Sequence, residues 1–210
     1  MTSVTAAERA ALCDTLLEVG PEASTLCGDW TARDLAAHLV VRERRPDAGP
    51  GIVTSFLSGY SEHVRQAEAQ RPFAEIVKRI RRGPPRWNPM RVDAVDRLVN
   101  SIEYFVHHED LRRAARPFSV RSLDPGFEDA LADSIRRAGR FLARGLPVGL
   151  VLEPAGREPI VVRAAEDRVT VAGPVGECVL FAYGRQAVAQ VTVRGPAAAI
   201  TTVREASLGI

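Results

Sequence analysis

Residues 25–41 read TLCGDWTARDLAAHLVV, and this stretch indicates where a long helix begins and which side of it packs. Thr31, with Asp34 three residues later, has the spacing of a capping box, in which each side chain bonds to the backbone of the other. The apolar residues that follow recur at helical spacing. The predicted helix ends before Pro46 and carries along one side Leu35, His38, Leu39 and Arg42.

Four further helices are predicted before residue 146. The first runs from Thr5, where Glu8 gives a second capping-box spacing, to a stop at Gly20 and Pro21. The second is predicted over about residues 55–82 and is terminated by the Arg-Gly-Pro-Pro run of residues 82–85. The other two are predicted over about residues 91–115 and from Asp124-Pro125 through Leu142. Long helices joined by short breaks favour an antiparallel bundle.

The chain changes character near residue 146, where short β-branched runs separated by Gly and Pro replace the helical spacing. Strands are predicted over residues 148–154, 159–164, 168–174 and 190–195, and short helices over residues 174–185 and 196–207. We therefore expect an α+β fold. A helical bundle occupies residues 1–145, and a small mixed α/β domain over residues 146–210 packs on it.

Composition argues against several classes of partner. Of 210 residues, 46% are hydrophobic and 26% charged, and the net charge is only +2, which argues against nucleic-acid and anionic-membrane partners. Three cysteines without a close pair argue against a disulfide framework and a cysteine-only zinc site. The sequence shows neither a secretory signal pattern nor an apolar run of membrane-helix length, so a cytoplasmic location is expected.

Arginine supplies almost all of the positive charge. Lys78 is the only lysine among the 28 Lys and Arg residues, so the other 27 are arginines. We interpret this arginine bias as the codon usage of a GC-rich genome. Any group that binds an anion is nevertheless expected to be an arginine, whose planar fork suits carboxylate or phosphate.

The informative histidines are His38 and His107. Glu103 precedes His107 by four residues, so both side chains project from one face of the predicted helix over residues 91–115. A histidine from a facing helix would complete a three-ligand set with open positions, which is typical of a catalytic divalent-metal site. The same spacing also fits an exposed polar stripe, and a half-buried helix histidine would explain His38 equally well.

The block around His38 resembles a motif of the maleylpyruvate isomerase-like, mycothiol-dependent family, part of the DinB-like superfamily of metal-binding helical bundles. The family pattern C-x-x-W-T-x-x-D-L-x-x-H-L ends in a metal-binding histidine and is matched by Cys27, Trp30, Thr31, Asp34, Leu35, His38 and Leu39. Residues 103–110, EYFVHHED, resemble the family's E-x-x-x-H-x-x-D helix, which supplies the other two ligands. The resemblance implies the metal ligands His38, Glu103 and His107, with Asp110 as a partner that orients an imidazole.

The C-terminal part also resembles the family's small domain. It has two V-x-V-x-G runs, and between them a helix that ends in Tyr183, Gly184 and Arg185. Family members often end the final strand with Gly-Asp, whereas this chain has Gly195-Pro196. The resemblance therefore extends over most of the chain, with one departure in the second half.

The resemblance implies two cofactors. One is a divalent metal, with zinc ranked first and nickel, iron or manganese also able to accept these donors. The other is mycothiol, the thiol that actinobacteria use in place of glutathione. The implied activity is isomerisation or S-transfer on a small electrophilic substrate, and Arg42 and Arg185 are candidates for binding an anionic substrate or the thiol.

Two alternatives stay open at this point. A metal hydrolase on the same triad would use bound water in place of the thiol. A non-catalytic protein would use the bundle to bind a metal or a small molecule.

Overall fold

The computed structural model describes residues 3–45, 58–88, 92–115 and 117–209. The chain forms two compact units, Met1–Ser119 and Val120–Ile210. The sequence changes character near residue 146, but the units divide earlier. The helix that follows Asp124 packs against a helix and a strand of the second unit, so it belongs with the sheet, although its spacing resembles that of the bundle helices.

The first unit is helical. Its described residues form α1 (Val4–Val19), α2 (Ala32–Arg44), α3 (Ser58–Ala69), α4 (Phe73–Arg81) and α5 (Asp93–Ala114). Helix α1 packs against α4 and α5, and α2 packs against α3 and α4. The shared core is built largely from aliphatic side chains, among them Leu12, Leu16, Leu35, Leu39, Ile76 and Ile80. Burying each such side chain stabilises the unit by roughly 1.5–3 kcal/mol, so packing more than local propensity holds these helices.

The start of α2 confirms the predicted capping box. The Thr31 N–H donates to Asp34 Oδ2 at 3.0 Å, and the Asp34 N–H donates to Thr31 Oγ1 at 3.4 Å. The helix ends at Arg44, and Pro46, predicted to close it, lies outside the described residues. The α2 side that packs carries Leu35 and Leu39, both buried, and His38 lies at its edge.

The predicted cap of α1 is wrong. Ser3 caps this helix, and its hydroxyl accepts a hydrogen bond from the N–H three residues later. Thr5 is buried instead, with its hydroxyl 2.8 Å from that of Ser101. Glu8 is buried as well and pairs with His108 at 2.8 Å. Because both side chains bond to α5, neither is available to cap its own helix.

The single helix predicted over residues 55–82 is two helices in its described part. The break between α3 and α4 falls at Pro72, which has no N–H to donate and disfavours helical backbone in the residue before it. Residues 55–57 lie outside the described residues. The predicted stop after α4 is confirmed at Gly83, whose φ of +69° suits glycine alone without strain.

The second unit combines helices with a four-stranded sheet of order β2-β1-β3-β4. Its elements are α6 (Pro125–Leu142), β1 (Gly149–Pro154), β2 (Ile160–Arg163), β3 (Arg168–Gly173), α7 (Val175–Ala182), β4 (Thr192–Arg194) and α8 (Ala197–Glu205). Strands β1 and β3 are parallel, and the other two pairings are antiparallel. Asp124 caps α6 as predicted, accepting from the Gly126 N–H at 2.8 Å.

The architecture is therefore α+β, and the predicted strands and helices after residue 146 are confirmed. Within the described residues, no helix is both long and apolar enough to span a membrane.

Candidate metal centre

Three nitrogen and oxygen donors meet between α2 and α5. His38 Nε2 lies 3.2 Å from Glu103 Oε1, and His107 Nε2 lies 3.3 Å from the same oxygen. The donor atoms of all three residues lie within 4.8 Å of one another. Helix geometry alone places Glu103 beside His107 on α5, whereas His38 reaches them from α2. The structure thus brings the three predicted residues together.

The three side chains are only partly shielded from solvent. His38 and His107 each expose 13% of the side chain, and Glu103 exposes 22%. The two imidazole rings are close to perpendicular, with 5.3 Å between their centroids and 73° between their planes. Both Nε2 atoms nevertheless face one carboxylate oxygen. The three side chains therefore lie close to the protein surface, in positions largely fixed by packing.

Burial, nearby charges and hydrogen bonds shift the pKa values of His38 and Glu103. Burial lowers the pKa of His38, and the nearby charges of His107 and Arg42 add to this, more than the hydrogen bond to Glu103 restores. Burial would raise the pKa of Glu103, but Arg42 and hydrogen bonds from both histidines hold it well below its usual range. The site therefore contains an ionised carboxylate and a neutral imidazole, the protonation states that metal ligation requires.

His107 is held from both sides. Its Nδ1 lies 3.0 Å from Asp110 Oδ2, and the Cys27 thiol donates to the same oxygen at 3.0 Å. Burial would lower the pKa of His107, but the bond to Asp110, with those to Cys27 and Glu103, raises it well above its usual value. Ligation through Nε2 would therefore release a proton. Asp110 stands where the resemblance places a partner that orients an imidazole.

A second group of donors shares His107. Cys27 Sγ lies 3.7 Å from His107 Nδ1, and these atoms and the Asp110 carboxylate also fall within 4.8 Å of one another. Spacing alone favours a packed loop position for Cys27. Its contact with Asp110 depends on the turn before α2, where the Leu26 N–H donates to the Asp110 carbonyl at 3.2 Å.

Arg42 lies against the triad, one turn after His38. Its Nε is 3.3 Å from Glu103 Oε1, and its NH1 group donates to Asn100 Oδ1 at 2.5 Å. The guanidinium thus helps to hold the Glu103 carboxylate in place. Its role in binding an anionic substrate stays a prediction. Arg185 belongs to the second unit, where its NH1 group donates to the Tyr183 carbonyl at 2.5 Å. A substrate role for Arg185 likewise stays a prediction.

Sequence reasoning missed the side chains that support His38. The Trp30 ring lies 5.3 Å from the His38 ring, and the Arg65 guanidinium lies 4.8 Å from the Trp30 ring centroid. Trp30 forms part of the quoted motif, yet its spacing from His38 does not reveal a ring contact. No pattern in the sequence connects Arg65 with either residue.

The donor set fits a divalent cation. Two imidazole nitrogens and a carboxylate oxygen suit zinc, nickel, iron and manganese, and three protein ligands leave positions for a further ligand. The fit depends on His38 Nε2, Glu103 Oε1 and His107 Nε2 converging on one space.

Comparisons with known proteins give structural likeness only. No protein-family model matches the sequence, and no curated protein matches it. Two crystal structures match, each covering 90% of this chain and 90% of its own. One is the mycothiol-dependent maleylpyruvate isomerase, at 16% identity and a TM-score of 0.61. The other is a histidine-to-alanine mutant of mycothiol-dependent maleylpyruvate isomerase, at 15% identity and a TM-score of 0.62. The chain therefore shares the α+β fold of mycothiol-dependent maleylpyruvate isomerase.

Proposed function

We propose that the chain is a divalent-metal-dependent and mycothiol-dependent isomerase or S-transferase acting on a small electrophilic substrate. The observation that carries the proposal is the convergence of His38, Glu103 and His107 on one partly exposed space. It is supported by a fold shared with an enzyme described as mycothiol-dependent.

The residues of the site have separable roles. His38, Glu103 and His107 would hold the cation, which when bound supplies a positive charge that lowers the pKa of a coordinated thiol. Arg42 keeps Glu103 ionised and in place through its 3.3 Å contact. Asp110 fixes the ring of His107 through Nδ1, so that Nε2 faces Glu103.

A cytoplasmic location is part of the proposal. The three cysteines, all within the described residues, form no disulfide, and two of them, Cys13 and Cys178, are buried. Burial raises the pKa of each of these two thiols to about 12, so they are poor nucleophiles. The reacting thiol would therefore come from a bound small molecule and not from the core of the protein.

Metal content tests the triad. Protein purified without chelator is expected to carry a divalent metal, which inductively coupled plasma mass spectrometry measures. The His38→Ala/His107→Ala double variant is expected to lose it, because two of three ligands are removed. His63→Ala is the matched control, since His63 is exposed on α3. Unchanged metal content in a folded double variant would refute the proposed centre.

Thiol binding is tested separately by calorimetry. Titrating mycothiol into metal-loaded protein is expected to give a heat of binding, and titrating it into the double variant is expected to give much less. Metal-loaded protein that does not bind mycothiol would refute the thiol-dependent activity while leaving the metal centre intact. Metal-dependent hydrolysis or simple ligand binding would then account for the site.

A further inference from the structure

The indole of Trp30 links the proposed metal centre to an ion-pair cluster. Its centroid lies 5.3 Å from that of the His38 ring, with 46° between the ring planes. The guanidinium of Arg65 lies 4.8 Å from the centroid of the same indole. A guanidinium over an indole is attracted by the electron density of the ring face, and shielding from water strengthens the attraction. The Arg65 side chain is only 9% exposed, so this contact is well shielded.

Two carboxylates fix Arg65 in turn. Its NH1 group pairs with Asp34 Oδ1, and its Nε and NH2 groups donate to Glu62 at 2.8 and 2.5 Å. Asp34 uses its other oxygen, Oδ2, to accept from Thr31 at the start of α2. One carboxylate therefore anchors both the helix that carries His38 and the arginine that lies over Trp30.

The two histidines of the triad are held in different ways. His107 has a carboxylate on each nitrogen, Glu103 at Nε2 and Asp110 at Nδ1. His38 bonds through Nε2, and within the described part of the chain its Nδ1 makes no hydrogen bond. The second nitrogen of a metal-binding histidine usually bonds to a carboxylate, carbonyl or water, which fixes the ring. At His38 the indole of Trp30 lies against the imidazole ring instead.

We propose that Trp30 is a positioning residue for His38, and that Arg65 keeps its indole in place. The inference rests on the proposed function, because it concerns the metal affinity of the triad. It extends that function by assigning part of the affinity to residues that donate no ligand. The spacing of Trp30, Asp34 and His38 is then explained by one set of contacts. Asp34 belongs to the capping box of the helix and pairs with Arg65, and Arg65 holds the indole that lies against the imidazole.

Zinc affinity, measured by competition with a chromophoric chelator, tests the inference. Trp30→Leu removes the aromatic face and is expected to weaken zinc binding about tenfold or more. Trp30→Phe keeps an aromatic ring and should stay close to wild type. Cobalt bound in place of zinc should show an altered visible spectrum in Trp30→Leu. The matched control is Trp87→Phe, at a side chain that is 60% exposed, and it should change neither measurement.

Fluorescence provides a measurement that does not require Trp30→Leu to fold. The chain has two tryptophans, so in Trp87→Phe all indole emission comes from Trp30, and zinc should change it. Adding Arg65→Gln should make Trp30 easier to quench with acrylamide and should weaken zinc binding.

Two results would overturn the inference. One is wild-type zinc affinity with an unchanged cobalt spectrum in folded Trp30→Leu, and the other is zinc binding that leaves Trp30 emission unaltered. A wild-type protein that binds no zinc or cobalt would overturn the proposed function instead.

Discussion

At the residue scale, Asp110 fixes the orientation of the His107 ring, one of the proposed metal ligands. It is fully buried, and its Oδ2 bonds both to His107 Nδ1 and to the Cys27 thiol, each at 3.0 Å. Its backbone carbonyl also accepts from Leu26, which joins α5 to the turn before α2. A single side chain thus orients an imidazole and places Cys27 beside it.

Asp110→Asn keeps the size of this side chain but removes its charge. Zinc affinity is expected to fall about 10- to 100-fold, since the partner that fixes His107 is weakened. Chelator competition measures the effect. Asp14→Asn, at a carboxylate that is 71% exposed, is the control and should bind zinc like wild type. Equal affinity in Asp110→Asn and wild type would contradict the orienting role.

Glu43 is a buried carboxyl group on α2, and only 1% of it is exposed. Burial raises its pKa to about 7, although a hydrogen bond from Tyr104 and the charges of Arg9, Arg42 and Arg44 act in the opposite direction. Its Oε2 atom has no hydrogen-bond partner among the residues described. The folded state therefore favours the protonated form of the Glu43 carboxyl group.

Stability should fall as pH rises because of Glu43. The folded protein keeps the proton up to a pKa of about 7, whereas the ordinary value is 4.5, so this contribution is fully present below pH 4.5 and is lost by about pH 7. The shift corresponds to about 3 kcal/mol. Glu43→Gln is neutral at every pH and should be more stable than wild type at pH 8.

Urea unfolding at pH 5 and pH 8 measures the effect of Glu43. Glu75→Gln, at a side chain that is 51% exposed, should keep the pH dependence of wild type. If Glu43→Gln loses as much stability between these pH values as wild type does, Glu43 is not the group responsible.

At the element scale, hydrogen bonds between two side chains and the backbone fix the start of α2, the helix that carries His38. The backbone N–H groups of Thr31 and Asp34 each donate to the other residue's side chain, and the Thr31 hydroxyl also donates to Asp34 Oδ2 at 2.8 Å. This local pattern was sufficient to predict the first turn. The α1 cap shows the opposite case, because Ser3 and Thr5 both carry hydroxyls and packing against α5 decides between them.

Thr31→Ala should destabilise the first unit by about 1 kcal/mol, as expected when a helix loses its N-cap side chain. The free energy of urea unfolding, followed by circular dichroism, measures the loss. Glu18→Ala, on the exposed face of α1, serves as the control and should cost far less. A Thr31→Ala protein as stable as the control would show that tertiary contacts alone hold the start of α2.

At the scale of the whole molecule, a triad that binds metal only when folded must stabilise the protein by mass action. Free zinc at 100 times its Kd is expected to add about 2.7 kcal/mol, seen as a higher melting temperature. His38→Ala/His107→Ala should show no zinc-dependent shift, and His63→Ala should shift like wild type. An equal shift in the double variant would place the bound zinc elsewhere.

The sequence by itself determined most helices and strands and the pairing of Glu103 with His107, because caps, proline breaks and helical spacing act over a few neighbouring residues. Only the tertiary structure decided that His38 meets Glu103 at 3.2 Å, that Trp30 contacts both His38 and Arg65, and that α6 packs with the sheet. These contacts join residues from different elements. They depend on how helix faces pack and where charged side chains find partners, and periodicity along the chain carries no such information.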